Sequence, residues 1–210
     1  MSRGRQRIEF EGLLQQNVLG TFSVIRGFAD LRDLAAVSVA IPYEGSGLGD
    51  SKGYQRALDE AHVEGLKRFL QRGRYRFFPE IILSLRSKGE DDPIVPFRKR
   101  RVSENDAAYV IRVNLRALPG TIHSPIRRID GNHRLEAARR LAEEQTRSAT
   151  FKNFATAPFC FVILNSDRPE DDDLAEAMLF NLINNKLVTA LQQTSYIPGL
   201  NAGVLRRACR

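Results

Sequence analysis

Residues Ile126 to Leu141 constrain this chain more than any other stretch. An apolar-edged run, Ile126-Arg127-Arg128-Ile129, leads into Asp130-Gly131-Asn132-His133-Arg134, and Leu135-Glu136-Ala137-Ala138-Arg139-Arg140-Leu141 follows. The first run has strand character and the last has helical apolar spacing. The order predicts a strand, a glycine turn and a helix start. The first amides of a helix have no internal partners and carry the positive end of its dipole. A phosphate settles there, and a glycine lets its oxygens approach the backbone. Arg134 adds a fork of donors suited to phosphate. His133 and Asp130 add a titratable ring and a carboxylate. The same residues also make an ordinary structural turn, because Asp-Gly is a common turn pair and Asp or Asn a common helix cap.

The rest of the chain alternates irregularly between strand and helix signals. Residues 1–33 mix turns and short apolar runs. Leu34 to Ile41 (LAAVSVAI) reads as a strand closed by Pro42, and Glu44 to Gly53 as a glycine-rich loop. Ala57 to Gln71 reads as a helix with Leu58, Ala61/His62, Leu66 and Phe69/Leu70 on one face. Phe77 to Leu85 reads as a buried strand. Arg86 to Asp106 is a polar insertion without pattern. Alternation from Tyr109 to Leu115 predicts a half-exposed strand. The motif helix should turn Leu135, Ala138, Leu141 and Ala142 to the core. Phe159 to Leu164 is a continuous apolar strand. Pro169 with Asp171, Asp172 and Asp173 marks a helix start, with Leu174, Met178 and Leu182 as its apolar side. These elements predict a compact α/β domain with a mixed sheet and flanking helices.

At 210 residues and 42% hydrophobic content, one domain with a real core is expected. That domain spans 1–210, with a flexible basic insertion around 86–107 and a short tail from about Tyr196. No stretch approaches the length of a membrane span. Met1-Ser2-Arg3-Gly4-Arg5 lacks the apolar segment of a secretory signal. Cys160 lies in an apolar run and Cys209 near the end, which suggests neither a disulfide framework nor a metal cluster. A cytoplasmic, reducing setting and no membrane partner are expected.

The net charge of +7 points to an anionic partner. Residues 65–128 hold 15 Lys and Arg against 6 Asp and Glu. Arg98-Lys99-Arg100-Arg101 is the densest run. It is either a solvated loop or a set of DNA phosphate contacts, which would be salt-sensitive and blind to sequence.

Ile129-Asp130-Gly131-Asn132-His133-Arg134-Leu135 resembles the signature of the DGQHR-domain family, with Asn132 where glutamine is usual. Gln55-Arg56, followed by Leu58, Val63, Leu66 and Phe69, resembles that family's upstream helix segment. Phe78-Pro79 before Ile81-Ile82-Leu83 resembles its next strand, and Phe180-Asn181-Leu182-Ile183-Asn184-Asn185-Lys186 its downstream helix. The resemblance implies a ParB/sulfiredoxin-like fold that binds ATP or another nucleoside triphosphate with Mg2+. It implies hydrolysis, and a place in bacterial DNA modification or phage defence, with DNA and other DNA-modification proteins as partners. Sulfiredoxin carries its reactive cysteine in the corresponding turn, where this chain has Asn132, so thiol chemistry is excluded there. ParB has an arginine-rich turn without histidine, so its CTP-dependent clamp is not a close match.

Each candidate residue carries two readings. His133 would exchange a hydrogen bond or proton with a phosphate oxygen, or is a partly buried histidine without chemistry. Asp130 would hold a divalent metal ion bridging phosphates or orient a water, or simply caps the helix. Arg134 would neutralise phosphate, or pairs with a helix acid such as Glu136. Gly131 and Asn132 complete the nucleotide turn. Arg56 would be a second anion donor, or a solvated charge at a helix end. Asn184 would bond a purine edge or a phosphate, or caps its helix. His62 is expected to pack in the core, and His123 has no assigned role. The main alternative function is a DNA-binding transcriptional regulator with a vestigial nucleotide site. A metal-dependent nuclease is disfavoured, because no cluster of acids at ligand spacing accompanies Asp130.

Overall fold

The computed structural model describes residues 7–18, 22–41, 58–72, 79–101, 107–120, 123–145 and 156–184. They form an α/β protein with a seven-stranded mixed sheet and four helices. The strands are β1 (Arg7–Val18), β2 (Phe22–Asp30), β3 (Ile81–Arg86), β4 (Phe97–Arg101), β5 (Ala107–Asn114), β6 (Ile126–Asp130) and β7 (Thr156–Leu164). The helices are α1 (Leu31–Val37), α2 (Glu60–Arg72), α3 (Asn132–Gln145) and α4 (Pro169–Asn184). The sheet order is β4-β5-β1-β2-β7-β3-β6, antiparallel except for the parallel pair β3 and β7.

The first third departs from its sequence reading. Residues 7–30 are a long antiparallel pair, β1 with β2, not turns and short runs. Ile8 and Phe10 are buried while Glu9 and Glu11 face solvent, the two-residue period of a half-covered strand. The run Leu34–Ile41 is not a strand. Asp30 Oδ1 accepts the backbone N–H of Arg32 at 2.8 Å and caps α1. Leu31, Leu34 and Ala35 then fall on one buried helical face. Only Val39, beyond the helix, bridges to Arg127 of β6.

α1 and α2 both pack against α3 on one face of the sheet. The main core lies there and includes Phe10, Ile25, Leu83, Leu135, Leu141, Phe159 and Phe161. α2 turns Val63, Leu66 and Leu70 inward, while Leu58, His62 and Phe69 are exposed, so its buried face is rotated from the expected one. Ion pairs fasten its outer side to α3. Lys67 Nζ lies 2.6 Å from Glu144 Oε1, and Arg140 Nη2 donates to Glu60 Oε1 at 2.9 Å.

α4 covers the other face. Leu179, with Ala175, Phe180 and Ile183, packs on Val24, Ile129, Cys160 and Val162. Leu174 and Leu182, expected on its apolar side, are exposed. Charge explains the rotation. Glu176 is fully buried and accepts from Ser84 Oγ at 2.5 Å, Arg86 Nε at 2.9 Å and Arg127 Nη1 at 3.1 Å. Burial alone would raise the neighbouring Asp173 carboxyl, but hydrogen bonds from Arg86 and Arg127 hold it below its ordinary value.

The insertion 86–106 is not patternless. Val95 is buried, Phe97 packs on the core, and Phe97–Arg101 pairs with β5 as an edge strand. Residues 102–106 and the tail from Tyr196, with Cys209, lie outside the described residues. Cys160 is a buried free thiol, pushed up to about 11 by that burial. No helix among the described residues is long and apolar enough to cross a membrane.

Candidate functional site

The junction of β6 and α3 has the strand, glycine and helix order read from the sequence. Gly131 has φ +91°, a backbone region that favours glycine. A Cβ there would also meet Ile81 Cδ1 at 2.5 Å. The Leu135 N–H donates to the Gly131 carbonyl at 2.9 Å, which sets the helical register immediately after the turn. The N-terminal amides of α3 thus face the place where the chain leaves the sheet edge.

A cavity of about 340 Å³ opens over this turn. Ile129 to Arg134 form its floor, α2 contributes His62 and Leu66, and α4 contributes Phe180 and Asn184. It falls at the lower end of the range for small-molecule sites, roughly 300–1,000 Å³. The lining mixes polar groups that converge on the helix start with apolar side chains on the flanking helices.

Arg134 is built into the floor. Its Nη2 donates to Asp130 Oδ2 at 2.6 Å, and its Nη1 donates to the carbonyls of Pro79 at 2.7 Å and Glu80 at 3.3 Å. It therefore clamps the entry of β3 to the turn. Burial lowers its pKa against the pull of Asp130, yet a guanidinium keeps its charge in water. The pairing with Glu136 considered from sequence does not form. Glu136 is held instead by Arg139 Nη2 at 2.6 Å and Arg140 Nε at 2.8 Å. Hydrogen bonding from Arg139, against burial and with help from Arg140, drives the Glu136 carboxyl down to about 2.

His133 lies at the wall between α3 and α2. Its Nε2 accepts the backbone N–H of Asp59 at 3.1 Å. Its ring meets His62 edge-on, with centroids 5.1 Å apart. Burial lowers its pKa below 6.5, His62 adds to the effect, and Asp59 and Asp130 oppose it. The ring is therefore neutral at pH 7, and because Nε2 is an acceptor the proton sits on Nδ1. His62 was expected in the core; it lines the cavity instead, beside His133.

Asn132 is nearly buried, and its Oδ1 accepts from Arg128 Nη1 at 2.9 Å. Arg128 also donates to Ser38 Oγ at 3.0 Å and to the carbonyls of Ala35 at 3.1 Å and Ser38 at 3.0 Å. Burial draws its pKa down to about 10, with Glu136 opposing. A buried guanidinium thus stands directly behind the turn and adds positive potential to it. Arg128 was not assigned a role from sequence. Its signal was an arginine held between isoleucines in a short strand, Ile126-Arg127-Arg128-Ile129.

Asn184 lines the far wall, with Nδ2 donating to the Phe180 carbonyl at 2.9 Å, which is a bond within its own helix. Arg56 and Lys186 lie outside the described residues. Arg98, Lys99, Arg100 and Arg101 are not brought to the cavity. They form β4, the opposite edge of the sheet from β6. Six strand spacings separate the two, roughly 29 Å. Among the described residues no group of three or more His, Cys, Asp or Glu side chains could hold a metal ion. A divalent ion at Asp130 would therefore need phosphate and water oxygens to complete its shell, as Mg2+ commonly does.

Comparison of the chain with protein-family models, with curated proteins and with solved structures finds no match.

Proposed function

We propose that this protein binds a nucleoside triphosphate, ATP or a close relative, in the cavity over the β6–α3 turn. The observation that carries the reading is the left-handed Gly131 at the N-terminus of α3, placed under a cavity and beside a guanidinium. A Cβ there would clash with Ile81 and lie 3.4 Å from Arg134 Nη2, so glycine lets the turn take this form beside the guanidinium. Phosphates would take those amides and the Arg134 edge. Leu66 and Phe180 offer apolar surface for a base, and Asn184 a polar group beside it. The resemblance to the DGQHR family supports the same assignment. It further suggests a ParB/sulfiredoxin-like fold, hydrolysis, and a cytoplasmic role in DNA modification or phage defence alongside DNA and other DNA-modification proteins.

Hydrolysis would need a group to position water. Asp130 and His133 are the candidates, with Mg2+ supplying charge neutralisation when bound. Asp130 would keep one carboxylate oxygen on Arg134 while the other faces the phosphates. His133 would donate from Nδ1, since Nε2 is engaged by Asp59.

Those same engagements favour a second reading, a nucleotide-responsive DNA-binding regulator that does not hydrolyse. Both candidate catalytic groups already serve structural bonds. The exposed Arg98, Lys99 and Arg100 of β4 would supply DNA phosphate contacts. Calorimetric titration with ATP and Mg2+, paired with a phosphate-release assay with and without DNA, separates the readings. Binding with turnover supports the enzyme and binding alone the regulator. Absence of ATP binding overturns both uses of the cavity.

A further inference from the structure

Among the described residues, no helix covers one face of half the sheet, where Phe28 and Leu13 are exposed. α4 packs over β6, β3, β7 and the Val24 end of β2. Beyond it, the register aligns alternate side chains of β2, β1, β5 and β4. Leu13 pairs with Arg26, Glu9 with Arg112, Glu11 with Val110, Val110 with Arg98, and Ala108 with Arg100. Directly paired residues share a face, and so do residues two apart on one strand. Phe28 therefore stands on the same face as Arg26 and diagonally across from Leu13. Phe28 is 75% exposed and Leu13 62% exposed.

The surroundings of this apolar pair are basic. Arg7, Arg26, Arg98, Arg100 and Arg112 share the face, against Glu9 and Glu11 on it and Glu80 at its border. Glu9 accepts from Arg112 Nε at 2.7 Å, Glu11 pairs with Arg100, and Glu80 lies 3.4 Å from Arg26 Nε. The first two are solvent-exposed ion pairs and the third is partly exposed, so they hold weakly and exchange for other anions. Among the described residues every cation on this face is arginine, whose planar head binds phosphate by two bonds and also stacks on bases.

We propose that this open sheet face binds single-stranded nucleic acid, with phosphates on Arg98, Arg100 and Arg112 and a base stacked on Phe28. An exposed ring on a flat sheet offers a stacking platform to an unpaired base, which a duplex hides within its own stack. An anionic membrane would need a larger continuous apolar surface than two side chains. The inference rests on the DNA-contact reading of the basic edge strand and names its form.

The test uses the full chain and fluorescence polarisation with a labelled thymidine oligomer of about 15 nucleotides, within the usual site sizes. The same measurement is made with a duplex of equal length and with phosphatidylserine vesicles. The oligomer should bind more tightly than the duplex. Phe28→Ala should weaken oligomer binding about tenfold with its salt dependence unchanged, the effect of losing one stacked base. Arg98→Ser with Arg112→Ser should flatten the log–log salt slope by about 1.4 units, two phosphates at about 0.7 each. Duplex binding as tight as the oligomer, or a silent Phe28→Ala, overturns the single-strand assignment and leaves the DNA-contact reading standing. Failure to bind either nucleic acid, or binding to vesicles alone, overturns both.

Discussion

The backbone N–H of Asp59 and Nε2 of His133 form a hydrogen bond of 3.1 Å between residues 74 apart in sequence. The bond joins the start of α2 to the first turn of α3, two walls of the cavity. It requires an unprotonated Nε2. Protonation would remove the acceptor and place a cationic ring edge-on against His62.

Stability should consequently depend on pH through His133. Its folded pKa lies below its ordinary 6.5, so between the two values the unfolded chain binds more protons. The contribution is full above about pH 6.5 and is lost as pH falls toward the folded pKa. Denaturant midpoints measured from pH 8 to pH 5 should fall for the wild type. His133→Gln keeps an acceptor but does not titrate, so its midpoint should fall less over the same range. Asp59, Asp130 and His62 face the ring and remain in both proteins. Parallel curves would refute the linkage.

The β6–α3 junction was legible because its signals are local: an apolar run, a glycine and a helical period occupy sixteen consecutive residues. Leu34–Ile41 was not, because it has the length and apolarity of a buried strand. Asp30 before it, and the spacing of Leu31, Leu34 and Ala35, were the contrary signals. In β4 only Phe97 is apolar, and the strand exists through its pairing with β5. Its arginines and lysine also keep an exposed edge from pairing with another chain. The roles of His62, Asp59 and Arg128 depend on contacts with distant segments. Periodicity within one segment cannot carry such information. The rotation of α4 follows the same logic, since burying Glu176 is favourable only where Arg86 and Arg127 arrive from two other strands.

Arg128 should be indispensable to the turn. Arg128→Leu would strand Ser38, Ala35 and Asn132 acceptors in the interior. At about 1–3 kcal/mol for each unsatisfied group, the loss should be at least about 3 kcal/mol. Arg128→Lys should recover little, because one ammonium cannot reproduce the fork that reaches all four oxygens. Chemical denaturation of the two variants checks this; a loss below about 1 kcal/mol for Arg128→Leu would contradict it.

Gly131→Ala should cost about 1–2 kcal/mol from the left-handed backbone alone. The added methyl would also press on Ile81. Trimming Ile81 to Val separates the two effects. If the contact dominated, Gly131→Ala with Ile81→Val would regain most of the loss. Backbone strain predicts that it regains little. ATP affinity should fall in both variants, because a turn that shifts to relieve the strain moves the α3 amides and Arg134.

The pair Asp130–Arg134 permits the sharpest test of the nucleotide reading. Asp130→Ala and Arg134→Ala should each destabilise the fold. A double-mutant cycle should return a coupling of about 1 kcal/mol, a charged hydrogen bond discounted for the partial exposure of Asp130. Arg134→Ala should also weaken ATP binding by about 2 kcal/mol, the scale of a charge-assisted bond. Asp130→Asn then divides two roles of the carboxylate. If Asp130 holds Mg2+, this variant should lose the Mg2+-dependent part of ATP affinity and retain the affinity measured in EDTA. If Asp130 only orients Arg134, affinity should change equally with and without Mg2+. Equal ATP affinity for wild type and Arg134→Ala, with both proteins folded by circular dichroism, would remove Arg134 from the binding site and leave it as the clamp between β3 and the turn.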